Sequence, residues 1–255
     1  MNAADQWAKD LAAWAIPDDI MAQAPESPWI HPAVLFQIPD TIPDSISHQR
    51  AREVLGPDSS VLDVGCGGGI AAFALTPPVT YVVGVDHQAE MLEMFTRNAA
   101  ERGLRSDVVE GFFPAVADCV PETDVVVSHH VAYNVADIDP FVRALSQKAR
   151  RRVVIEMPQS HPLASMGPAW RHFWDLERPS GPHPEDFVQV VRDAGFSPQL
   201  ELFDGAMRRE QTPEQAAHFM RIRLCLPASR EGEVGEFLAS QPPVTSALAC
   251  VWWDL

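Results

Sequence analysis

Two carboxylates, a glycine-rich turn and a pair of adjacent histidines are the residues of this chain whose types and spacing could do chemistry. The run Val61-Leu62-Asp63-Val64-Gly65-Cys66-Gly67-Gly68-Gly69-Ile70 reads as a buried strand ending in a tight turn. Glycines let a backbone pass close to a ligand, and a strand, a glycine turn and a helix in succession form a nucleotide cradle. The dinucleotide fingerprint Gly-x-Gly-x-x-Gly, counted from Gly65, needs glycine where Ile70 stands. No Tyr-x-x-x-Lys pair is present either, which argues against a nicotinamide-dependent oxidoreductase. Tyr81-Val82-Val83-Gly84-Val85-Asp86 is a second apolar strand with a carboxylate at its tip. Such a carboxylate accepts hydrogen bonds from both hydroxyls of a ribose, each worth about 1.5–3 kcal/mol. Its other possible duty is to cap the helical run Gln88 to Arg102, and one side chain can serve both. A fourth strand, Asp124-Val125-Val126-Val127, ends in Ser128-His129-His130. Imidazole titrates near neutrality and so suits the removal of a proton from an oxygen or nitrogen nucleophile.

Taken together, Asp63-Val64-Gly65-Cys66-Gly67-Gly68-Gly69 and Asp86 resemble the first two motifs of class I S-adenosylmethionine (SAM)-dependent methyltransferases. The resemblance covers roughly residues 58–157 and implies SAM as methyl donor and S-adenosylhomocysteine as product. It implies cofactor contacts from Asp63, Gly65, Cys66, Gly67 and Gly69 under the methionine part, and from Asp86 on the ribose. His87, Gly111 and Phe112 fall beside the adenine, and Ser128 and His129 near the sulfonium. Phe112 and Phe113 stand where the family contacts adenine, and core filling is the competing duty for both. His130 is the first candidate base, with His129 and Tyr133 at the same mouth as further catalytic candidates and Asn134 beside them. Glu156 and His161 form a second candidate pair. Further carboxylates that a metal site would need are not in evidence, so no metal is expected. Ser128-His129-His130-Val131 departs from the Asn-Pro-Pro-Tyr of amino-group methyltransferases that act on nucleic acid or glutamine, which points to the small-molecule branch often called methyltransferase type 11. Lys148-Ala149-Arg150-Arg151-Arg152 replaces the family's Pro-Gly-Gly turn, and Arg150 to Arg152 read as a solvated turn.

The elements that must position these residues alternate. Strands are expected at 60–64, 81–86, 107–110, 124–128, 152–157, 199–203 and 247–253, and helices at 45–55, 68–75, 88–102, 139–148, 184–194 and 212–224. Alternation of this kind gives an α/β fold with a mostly parallel sheet covered on both faces. By resemblance the sheet is Rossmann-like and seven-stranded, in the order 3-2-1-4-5-7-6 with strand 7 antiparallel. Residues 1–45 differ in composition: Trp7, Leu11, Ala12, Trp14 and Ala15 suit an amphipathic helix, and Pro17, Pro25, Pro28, Pro32, Pro39 and Pro43 forbid a long one afterwards. They read as an N-terminal helical and proline-rich cap packed through Trp29, Val34, Leu35 and Phe36, ahead of a methyltransferase domain at 46–255. Residues 158–184, with His161, Trp170, His172, Phe173, Trp174 and His183 among prolines and glycines, read as a long loop acting as a lid.

Composition narrows the partners. A net charge of −16 over 255 residues is wrong for a nucleic-acid backbone. Asp5, Lys9 and Asp10 interrupt the N-terminal apolar stretch, which is no secretory signal, and no apolar run approaches the roughly 18 residues of a membrane span. Cys66, Cys119, Cys225 and Cys250 are scattered, as reduced thiols of a cytoplasmic protein would be. The expectation is a cytoplasmic enzyme methylating an oxygen or nitrogen of a small-molecule acceptor, with a non-catalytic SAM-binding sensor or partner module as the alternative. A homodimer stays open.

Overall fold

The computed structural model describes residues 2–29, 38–39, 41–205, 212–242 and 247–255. Val34, Leu35 and Phe36, expected to pack among the prolines, lie outside the described residues.

Valine-rich runs form the central strands, and runs of leucine and aromatic residues the last two. They are β1 (Ser59–Val64), β2 (Val79–Asp86), β3 (Arg105–Glu110), β4 (Thr123–His129), β5 (Ala149–Pro158), β6 (Gln199–Asp204) and β7 (Ala247–Asp254), in one sheet of order β3-β2-β1-β4-β5-β7-β6. β7 runs antiparallel to both β5 and β6, and the other neighbours are parallel. β1 is buried at every residue, as a central parallel strand under helices on both sides must be.

The α-helices among the described residues are α1 (Ala3–Ala12), α2 (Asp18–Met21), α3 (Ile46–Arg52), α4 (Ile70–Phe73), α5 (Ala89–Glu101), α6 (Ile138–Lys148), α7 (Gly167–Trp174), α8 (Pro184–Asp193), α9 (Pro213–Arg223) and α10 (Glu231–Ser240). One face of the sheet carries α6 and α8 with Leu62, Val126, Phe141, Ile155, Phe187 and Trp253 in its core, and the other carries α3, α4 and α5 with Val61, Val82, Phe95, Val125 and Val154. The expected helix at 68–75 shrinks to Ile70–Phe73, because Gly69 has φ +97°, which ends any helix on its N-terminal side. The expected solvated turn at Arg150–Arg152 is instead the start of β5, which follows α6 without a gap. Arg152 is buried there because Glu53 and Asp254, each 2.7 Å away, neutralise it.

The flanking segments combine. α1 lies on the helical layer against α6 and α8, with Trp7 fully buried, stacked on Tyr133 at 5.6 Å and donating Nε1–H to the Val135 carbonyl. Beyond it, Ile16 and Ile20 join Met166, Trp170 and Phe173 in a third apolar cluster. Residues 158–184 are therefore not loop throughout: α7 forms within them, with Pro168 in its first turn. The same cluster takes Ala217, Leu224, Leu226 and Val234 from the excursion between β6 and β7. Buried Arg221 ties it together through Glu26 at 2.6 Å and Glu231 at 3.0 Å.

Candidate functional site

The carboxyl ends of β1, β2 and β4 meet at the glycine turn. Gly65 and Gly67 have φ +74° and +50°, which hold the chain in a conformation that side chains resist. A Cβ on Gly65 would stand 2.3 Å from Val131 Cγ2, and one on Gly69 would stand 2.1 Å from the Phe73 ring. Asp63 is buried beneath the turn and accepts the Ala72 N–H at 3.2 Å, so it anchors the start of α4 from below. Burial pushes its carboxyl up to about 7, against the Ala72 hydrogen bond and with the help of Asp86. The Cys66 thiol is likewise buried and pushed well above its usual range. Asn98 on α5 steadies the turn by donating to the Gly68 carbonyl at 2.9 Å.

Asp86 closes the other side. Its Oδ2 accepts the Gly67 N–H and its Oδ1 the Gln88 N–H, both at 3.0 Å. A carboxylate has about four acceptor positions, so two remain for hydroxyls of a ligand. The expected capping duty is not met: the N-cap of α5 is Gln88, which has no side-chain cap, and Asp86 instead ties the glycine turn to the end of β2. His87 stacks on Phe112 with ring centroids 4.7 Å apart, and Phe112 is 71 % exposed. A phenylalanine so exposed is not core; Phe113, by contrast, packs edge-on against Phe141. Gly111, at φ +148°, brings β3's end against Val116, where a Cβ would lie 2.3 Å from Cγ1, and donates its N–H to the Asp86 carbonyl. Glycine turn, acceptor carboxylate and exposed aromatic face are of the kinds that an adenosyl group needs.

At the tip of β4 the two histidines diverge. His129 points onto the α3 face, where its ring stacks on that of His48 at 5.4 Å. Its side chain is 10 % exposed, and burial drives its pKa down to about 3 despite the pull of Glu156. Its Nε2 and that of His48 are buried without a hydrogen-bond partner. His130 leaves the strand at φ +62°, a left-handed conformation that a non-glycine residue adopts at a cost and that clusters at functional sites. That turn sends His130 back over Glu156 rather than to the opposite face: Nε2 lies 3.2 Å from Glu156 Oε1, and the His130 N–H donates to the Glu156 carbonyl at 2.7 Å. Its side chain is 41 % exposed. Burial acts to raise the Glu156 carboxyl, but His129, His130 and the Ser45 hydroxyl outweigh it and hold it well below the usual range.

The remaining candidates sit apart from this group. Ser128 is buried and donates its hydroxyl to the Val64 carbonyl at 2.8 Å, tying β4 to the strand end that feeds the turn. Tyr133 is buried on the α1 face, donates to the Pro158 carbonyl at 2.9 Å, and has its phenol pushed up by burial. His161 stacks on Trp14 at 4.1 Å and is driven down to about 4 by burial and then by Arg178. The expected Glu156–His161 pair is therefore not formed: Glu156 belongs to His130, and His161 to Trp14 and Tyr133. Sequence reasoning missed Ser45 and His48, whose only signal is the Ser-x-x-His start of a helix. Among the described residues no group of three or more His, Cys, Asp or Glu is arranged to hold a metal ion, and no helix is long and apolar enough to cross a membrane. A cleft of about 410 Å³ lined by Asp10, Gly181, His183 and Asp186 lies elsewhere, between α1 and α8. We place the site at the glycine turn, where the acceptor groups converge.

Comparison with known proteins bears on the fold and on the segment that carries the turn. Residues 61–152 match a family model described as a methyltransferase domain. The ubiquinone biosynthesis O-methyltransferase of Brucella anthropi is 32 % identical over 90 residues, 35 % of this chain and 36 % of that protein. Its namesake from Methylobacterium sp. (strain 4-46) is 26 % identical over 172 residues, 61 % of this chain and 68 % of that one. The chain thus spans about a third of the length of the first relative. Among solved structures, YcgJ from Bacillus subtilis has a TM-score of 0.54 at 16 % identity, covering 82 % of this chain and 97 % of its own. Magnesium protoporphyrin IX methyltransferase from Synechocystis PCC 6803, solved with bound S-adenosylhomocysteine, has a TM-score of 0.51 at 15 % identity, covering 78 % of this chain and 75 % of its own. At such identity these two structures speak for the fold. The sheet order, the turn between Asp63 and Asp86 and the matched segment define a nucleotide-cradling α/β transferase fold. Residues 61–152 thus carry a methyltransferase domain, set on a seven-stranded sheet of order β3-β2-β1-β4-β5-β7-β6.

Proposed function

We propose that this protein moves a methyl group from SAM to an oxygen or nitrogen atom of a small-molecule acceptor, with His130 as the base. The observation that carries this reading is the His130–Glu156 pair at the tip of β4. With Glu156 ionised, the neutral imidazole keeps its proton on Nε2 and offers Nδ1 as the acceptor, as in other histidine–carboxylate pairs. SAM supplies an activated methyl group on a good leaving group. The chain's own work is alignment, exclusion of water and proton removal. Asp86 holds hydroxyls, the glycine turn lets backbone lie along the ligand, and the exposed face of Phe112 receives a flat ring. His129, neutral and buried, is read as a wall of the site. The curated relatives are named O-methyltransferases, which favours oxygen over nitrogen. The apolar cluster of Ile20, Trp170 and Leu226 is read as the cap that shapes the acceptor's side.

The test is release of S-adenosylhomocysteine over a panel of phenols and amines, with His130→Ala beside wild type. A base contributes about 10²–10⁴-fold. Turnover should fall by that amount while SAM affinity stays within about twofold. Equal losses in turnover and affinity would make His130 a binding residue. No product from any acceptor would favour a SAM-binding module.

A further inference from the structure

Ser45 does two jobs at once. As the N-cap of α3, its Oγ accepts the His48 N–H at 3.3 Å. The same Oγ donates to Glu156 Oε2 at 2.9 Å. A hydroxyl has a single proton and two lone pairs, so the proton is committed to Glu156 and a lone pair to the cap. The other oxygen of that carboxylate, Oε1, faces His130 Nε2 at 3.2 Å. His129 Nδ1 stands 3.9 Å from the same Oε1, beyond hydrogen-bond reach. Each carboxylate oxygen therefore has one close side-chain partner: Ser45 on one side and His130 on the other.

We propose that Ser45 is a positioning residue for the reaction, acting through Glu156 to set the plane of that carboxylate and thereby the tautomer of His130. The inference rests on the reading of His130 as the base. The terminal torsion of a glutamate is soft, with no staggered well to hold it, so the plane follows from hydrogen bonds. Glu156 is buried, and water is not at hand to replace a lost donor. Glu156 reaches β5's end on the α3 face, opposite Cys250, so Ser45 on the approach to α3 meets it directly. The segment ahead of the first strand thus takes part in preparing the proton acceptor.

Capping and proton donation are separable by substitution. Ser45→Asp keeps a good N-cap but has no proton to donate and sets a second carboxylate beside Glu156. Ser45→Thr keeps both functions, and Ser45→Ala removes both. The readout is the nitrogen-15 spectrum of the His130 side chain in the full chain, near pH 8, where ordinary imidazole is neutral; its signals are assigned by their loss in His130→Ala. Wild type and Ser45→Thr should show mainly the Nε2–H form. Ser45→Asp, Ser45→Ala and Glu156→Gln should each change the tautomer ratio by about 5–10-fold, the equivalent of one hydrogen bond. An unchanged ratio in Ser45→Asp and Ser45→Ala would overturn the proposal, as would equal loss in Ser45→Thr, which would implicate packing rather than the proton. Should Ser45→Asp fail to fold, Ser45→Ala and Glu156→Gln decide alone. The spectrum needs no substrate, so an absence of methyl transfer by wild type would refute the base assignment and leave the tautomer result standing.

Discussion

Replacing His129 by phenylalanine should make the protein more resistant to acid. His129 is held neutral in the fold, its pKa driven from 6.5 to about 3 by burial. In the unfolded chain it protonates as the pH falls through 6.5, and in the fold it does not. The unfolded state therefore binds the extra proton, and stability falls with falling pH across this window. The slope is about 1.4 kcal/mol per pH unit. From about pH 6.5 to about pH 5 the wild type should lose about 2 kcal/mol through this one residue. Phenylalanine keeps the ring stacked on His48 and fills similar space, but has no proton to bind. Urea unfolding of both proteins at several pH values in that range gives the test. The gap between their unfolding free energies should widen in favour of His129→Phe as pH falls. Parallel curves would show that His129 protonates freely in the fold, and its exclusion as the base would lose its footing. Asp63, with its carboxyl raised to about 7, acts with the opposite sign, but it is common to both proteins and cancels.

Three further outcomes follow from the same geometry. Asp86→Ala removes both ribose acceptor positions, so SAM affinity measured by calorimetry should fall at least about 100-fold, the loss of two hydrogen bonds to a charged group; an unchanged affinity would place the ribose elsewhere. Phe112→Ala should leave the melting temperature within about 2 °C, since the ring is exposed, yet weaken SAM several-fold. Gly65→Ala should destabilise by about 1–3 kcal/mol in urea titrations and impair SAM binding, because a Cβ would meet Val131 at 2.3 Å on a left-handed backbone.

Much of the fold was legible in the sequence for a plain reason. Buried parallel strands favour short, valine-rich apolar runs, and those at 61–64, 82–85 and 125–127 stand out for that reason. The turn was legible because glycine is the residue that adopts the left-handed conformations at positions 65, 67 and 69 at least cost. Helix ends were harder to see: Gly69 shortens α4 by its φ, and the arginines at 150–152 look solvent-loving until Glu53 and Asp254 are brought beside Arg152 from distant parts of the chain. The pairing of Glu156 with His130 rather than His161 depends on a single backbone torsion at position 130, which no spacing rule carries. Ser45 and His48 reach the site only because α3 packs over β5 and β7, a tertiary fact. The cap cluster joins three separate segments, of which α10 carries almost no amphipathic signature and α7 hides among prolines.

A crystal structure of the full chain with S-adenosylhomocysteine would place the nucleoside against Asp86 and Phe112 or away from them. The ribose hydroxyls should lie on the Asp86 carboxylate, the adenine against Phe112, and the sulfur facing His130. A nucleoside bound away from Asp86, or His130 shielded from the sulfur by the chain, would contradict that placement.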